Sequence, residues 1–157
     1  MSLVTSIDVS FSTSGTHSGT SDRLYLGVVT ARHGGQEWNL AKEAAGHSFS
    51  SNASHHFRIG RYSGAKPSTQ VRHGTISVPI DTQSDNRRPL VYLRKHGIMD
   101  AELDNAARLE RIHVQLRSDP SDDPSVGSTS VEGYALLKPV WLGIEYGLTV
   151  WIPWYLT

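Results

Sequence analysis

Apolar and polar residues alternate along most of the chain, and a period of two marks half-buried β-strands. Ile7, Val9 and Phe11 alternate with Asp8, Ser10 and Ser12. The stretch from 12 to 22 is rich in Ser, Thr and Gly and too polar to bury, so it reads as a loop. Arg23–Val29 is apolar on both faces, which suits an interior strand. Glu37–Leu40 predicts a short strand with Trp38 and Leu40 turned inward, and His55–Ile59 one with Phe57 and Ile59 inward. In the second half Ile76, Val78 and Ile80 alternate, Leu90–Leu93 forms an apolar run, and Ile112, Val114 and Leu116 alternate with His113, Gln115 and Arg117. Residues 134–144 and 148–152 predict the last two strands, the latter with Leu148, Val150 and Ile152 in phase. Strands this short, separated by Gly, Ser, Pro and Asp, predict an all-β antiparallel sandwich of about eight strands in two sheets. Met99–Arg111 has helix formers at helical spacing and predicts a short helical turn entering the strand at Arg111. Residues 118–130 are acidic and proline-broken, as a loop would be.

The chain has 157 residues, enough for one domain over 1–157 but marginal for two cores. Fifteen basic residues balance fifteen acidic ones. That balance argues against nucleic acid as a partner and against purely electrostatic attachment to anionic lipid. Cysteine is absent, so disulfides, thiolate metal sites and cysteine nucleophiles are excluded. The first residues lack a basic, then apolar, leader pattern, and no apolar run approaches the roughly 20 residues of a spanning helix. The reading expects a soluble, cytoplasmic protein.

The segment SIDVSFSTSGTHSGTSDRLYLGV ends a strand in Thr13, closes a Gly-rich loop with Gly19, Thr20 and Asp22, and continues into a strand carrying Tyr25 and Leu26. It resembles the opening of the PLAT (lipoxygenase-homology) domain. Phe49 followed by Phe57–Ile59, the run LERIHV at 109–114, and Trp141-Leu142 are similar to later family elements. Where the family usually has Asp-Asn after its middle strand, this chain has Arg94-Lys95-His96-Gly97, and Ala106-Ala107 stand near its usual Trp. The resemblance implies a non-catalytic binding or targeting module that docks onto a protein partner or a lipid surface. A structural subunit that self-assembles or packs into a larger assembly, and a carbohydrate-binding sandwich that stacks sugars on Trp and Tyr, are the two alternatives.

Catalytic signatures are missing: no G-x-S-x-G elbow and no phosphate-binding glycine loop occurs. Asp122-Asp123 and Glu102/Asp104 read as solubilising charge. His55 and His56 adjoin in a strand, so their rings point to opposite faces and cannot chelate one metal between them. The resemblance implies calcium in some family members, and here Asp22 with the carbonyls of Gly19 and Thr20 would hold it. Arg94, Lys95 and His96 opposite would repel the ion, so no cofactor is expected. Four tryptophans complete the candidates. Trp38 and Trp141 are expected to fill the sandwich. Strand phase turns Trp151 outward, and Trp151, Trp154 and Tyr155 form the candidate contact surface unless the tail folds back over the chain's own loops. Thermal melting should be the same in chelator and in millimolar calcium; a rise of several degrees with calcium would instead assign the ion to Asp22.

Overall fold

Every regular element among the described residues is a strand. The computed structural model describes residues 2–13, 23–31, 33–40, 51–60, 69–71, 76–80, 88–96, 106–118 and 130–154. The strands are β1 (Ser2–Leu3), β2 (Ser6–Thr13), β3 (Leu24–Thr30), β4 (Gly34–Asn39), β5 (Ala53–Gly60) and β6 (Thr69–Val71). They continue with β7 (Pro79–Ile80), β8 (Leu90–Lys95), β9 (Ala107–Ser118), β10 (Ser130–Leu136), β11 (Val140–Leu142) and β12 (Thr149–Ile152). Eight of the twelve are four residues or longer, in agreement with the sequence pattern. The first sheet has the order β10-β9-β2-β5-β6, with β11 also paired to β9; the second has the order β12-β8-β3-β4. All pairs in both are antiparallel except β5–β6, which is parallel. A two-stranded ribbon of β1 and β7 lies apart from both.

The alternating residues meet in one core. Ile7, Val9 and Phe11 from β2, Phe57 and Ile59 from β5, and Ile112, Val114 and Leu116 from β9 are buried together with Leu24, Leu26 and Val28 of β3 and Val91 and Leu93 of β8. Removing each such side chain from water is worth about 1.5–3 kcal/mol, which fixes the strand phase, since a one-residue slip would expose the whole row. Phe11 stacks on Phe57 at 6.1 Å and packs against His55 at 5.3 Å, while His56 pairs with Ser10 on the outer side. The two histidines therefore diverge, as alternation requires. Trp38 and Leu40 are buried and β3 is interior, also as expected.

Three expectations need correction. Of the stretch Met99–Arg111 expected to be helical, the part from Ala107 on is extended: β9 starts there, with Ala107 and Leu109 buried, and positions 99–105 lie outside the described residues. A β-bulge follows within β9. Ser10 pairs with His113 but Ser12 with Glu110, so Arg111 and Ile112 together oppose Phe11. Arg111 takes the left-handed conformation at φ 53° and is exposed. The surplus residue switches the inward positions from odd to even numbers. Second, the segment 134–144 is not continuous, because β10 and β11 are separated at Leu137–Pro139, beside the same bulge. Third, Trp141 is 36% exposed. It pairs with Arg108, and its neighbour Leu142 takes the inward place opposite Ala107. Of two adjacent strand residues only one can face the core.

Left-handed backbone costs a side chain about 1–2 kcal/mol, which offsets the entropy a glycine would lose on folding. Arg111→Gly should thus stay within about 1 kcal/mol of wild-type stability, whereas the β-branched Arg111→Val should lose about 1–2 kcal/mol in urea unfolding. A helix at this position would reverse that order, since glycine is the poorer helix former.

Candidate binding surface

With Val91, Leu93 and Lys95 buried on β8, the residues between them point out of the second sheet. The same parity applies to its neighbours, and strand register aligns the outward positions into transverse rows. Trp151, Tyr92, Gly27 and Glu37 make one row across β12, β8, β3 and β4. Thr149, Arg94, Tyr25 and Asn39 make the next. Gly27 leaves the middle of the first row without a side chain, and the Tyr92 ring fills the space; a Cβ on Gly27 would collide with that ring. Tyr92 thereby reaches two strands away, where its hydroxyl donates to Glu37 Oε2 at 2.7 Å. Arg94 donates to the same carboxylate through Nε (2.9 Å) and Nη2 (2.6 Å), a two-pronged pairing, and its guanidinium lies 4.3 Å from the Tyr25 ring centroid. Trp151 meets Tyr92 edge to face, with centroids 5.0 Å apart.

These contacts set the protonation states. The Arg94 fork, aided by the Tyr92 hydroxyl, holds the Glu37 carboxyl below its ordinary value despite partial burial. Burial, and then the hydrogen bond to Glu37, push the Tyr92 hydroxyl up to about 12. Tyr92 is therefore a neutral donor at any physiological pH.

The last strand leaves its sheet at Pro153, which has no N–H to donate and follows the end of β12 at the sheet edge. The chain then crosses to the first sheet. Ala135 N–H donates to the Pro153 carbonyl at 3.0 Å, and Trp154 forms a bridge with Tyr134 of the edge strand β10. Trp154 Nε1 donates to Glu132 at 2.7 Å, Arg88 donates to the same carboxylate at 3.3 Å, and the Arg88 guanidinium lies 3.7 Å from the Trp154 ring centroid. Buried Tyr134 donates to the Pro89 carbonyl at 2.6 Å. Burial and the nearby Glu132 raise its phenol above the ordinary range. The tail up to Trp154 thus folds back on the chain itself, leaving an open groove of about 590 Å³ whose rim includes Leu90, Leu136 and Trp151. Trp151 stays outward at 54% exposure, and Tyr155 lies outside the described residues.

A second aromatic cluster is formed by β11 and the turn that follows it. Trp141 stacks on Tyr146 at 5.6 Å, and Leu137 and Ile144 are exposed beside them in sequence. Paired hydrogen bonds of 2.9 Å between Gly143 and Gly147 close the turn that presents Ile144 and Tyr146.

Asp22, Gly19 and Thr20 lie outside the described residues. Of the cations expected to oppose them, Arg94 is engaged with Glu37, Lys95 is buried and donates to the His96 carbonyl at 3.3 Å, and His96 N–H donates to the Arg23 carbonyl at 2.8 Å. Among the described residues no three His, Asp or Glu side chains converge to hold a metal ion. Sequence reasoning passed over Tyr92 and Glu37. The usable signal was Gly27, because a glycine inside an apolar strand marks a close approach by something else. No protein-family model matches the chain, and no curated protein matches it.

Because folding depresses the Glu37 pKa, its contribution to stability is complete above the ordinary value of 4.5 and declines as pH falls through the lower folded value. The urea midpoint should therefore drop less between pH 5 and pH 3 in Glu37→Gln than in wild type, and the two proteins should differ most at neutral pH.

Proposed function

We propose that the chain is a non-catalytic binding or targeting module of the PLAT type, acting in the cytoplasm, that docks onto a lipid surface or a protein partner through its exposed aromatic turn. The observation that supports this reading is the distribution of exposed large apolar side chains. Of the eight among the described residues, four lie between positions 137 and 146: Leu137, Trp141, Ile144 and Tyr146. Exposed apolar clusters are rare on proteins that have nothing to bind. Trp and Tyr, with apolar rings and polar edges, suit the boundary between water and an acyl layer, and the exposed Lys138 adjoins Leu137 in sequence. The β-sandwich architecture is compatible with the PLAT assignment, and its outward-facing turns are the natural place for such contacts.

Co-sedimentation with phosphatidylcholine/phosphatidylserine vesicles tests the reading. Wild type should bind, and binding should persist at high salt, because burial of apolar side chains is not screened. The doubly substituted Trp141→Ala, Tyr146→Ala protein should melt near the wild-type temperature and bind about tenfold more weakly or worse. Absence of vesicle binding would move the assignment to a protein partner, and vesicle binding indifferent to the double substitution would remove the turn from the contact surface.

A further inference from the structure

The outer face of the second sheet has features that the docking turn does not need. It is built rather than merely exposed. Trp151 is held against Tyr92, Tyr92 is seated over Gly27 and tied to Glu37, and Arg94 clamps the same carboxylate while lying over Tyr25. Across the four strands, Trp151 and Glu37 are separated by about 14 Å at the usual interstrand spacing, the reach of a short polymer rather than of one small molecule. Glu37 and Arg94 cancel in charge, and the rest of the two rows is neutral: Trp151, Tyr92, Tyr25, Thr149 and Asn39. The surface therefore offers an aromatic platform at one side and a net-neutral set of donors and acceptors, centred on the Glu37–Arg94 ion pair, at the other. That pairing complements a ligand with apolar C–H faces and in-plane hydroxyls.

The geometry points to a binding site for a neutral, β-linked oligosaccharide on this face, with a pyranose ring stacked on Trp151 and neighbouring hydroxyls bonded to Glu37 and Arg94. An equatorially substituted pyranose presents axial C–H groups to the indole. Hydroxyls of sugars farther along the same oligosaccharide would reach the Glu37–Arg94 pair, which can both accept and donate. Preorganisation lowers the entropic cost of binding, because Tyr92 and Arg94 are already held in place.

Cellohexaose, xylohexaose and chitohexaose are the probes, each titrated into ¹⁵N-labelled wild-type protein while the indole N–H resonances are followed. At least one should shift the Trp151 indole and leave that of buried Trp38 unmoved. Trp151→Ala should weaken that ligand about tenfold or more, and Glu37→Gln should also weaken it, whereas Trp141→Ala should not. Wild-type titration keeps the test decisive even if a variant fails to fold. Failure of all three sugars to move Trp151, or a response confined to Trp141, would overturn the site. So would light scattering that shows a dimer lost on Trp151→Ala, since the face would then be occupied by a second copy of the chain. Vesicle binding through Trp141 and Tyr146 is read separately and stands or falls alone.

Discussion

The hydrogen bond from Ala135 N–H to the Pro153 carbonyl joins the two sheets at their open side, and the exposed chemistry of the molecule depends on it. Up to Ile152 the chain obeys the parity of a strand, with Ile152 buried and Trp151 outside. Beyond Pro153 it belongs to the other sheet, where Trp154 becomes a lid over Glu132 and Arg88. Two tryptophans three residues apart thus acquire opposite roles. One joins Arg88 in satisfying a buried carboxylate; the other remains exposed to solvent.

The same division between inside and outside explains what was readable in the residues. Positions such as Ile7, Phe57 and Val114 were legible because burial of an alternating row is a large, additive effect and leaves a periodic trace. Trp38 followed the same rule. Trp141 did not, because a tryptophan beside a leucine in a strand leaves parity undecided until the neighbouring strand is placed. Arg111 was opaque for a related reason. A bulge and a helical turn both break a period of two, and only pairing with β2 and β10 distinguishes them. The Tyr92–Glu37–Arg94 network joins residues 55 and 57 positions apart, and no local pattern encodes that register.

The two exposed aromatic regions differ in character. Around β11 the exposed side chains come from the strand itself and from the turn that follows it, Trp141 stacked on Tyr146. On the second sheet the aromatic Trp151 is coupled through Tyr92 to a fully paired ion pair, so its environment is ordered and neutral. A protein that needed only a greasy anchor would have no use for a carboxylate tied by three hydrogen bonds.

The bulge in β9 has a meaning beyond local geometry. Leu109 and Ile112 face the same core although an odd number of positions separates them, so the strand contains one residue more than its burial pattern requires. A strand one residue shorter could bury the identical apolar set. What the surplus residue supplies is curvature. It bends β9 so that its first half can serve β11 and its second half β10, two partners that a straight strand would have met as one. The gap between those partners is where Leu137 is pushed into the open, at 67% exposure. One extra peptide unit deep in the sheet thus shapes an outer rim, by geometry alone.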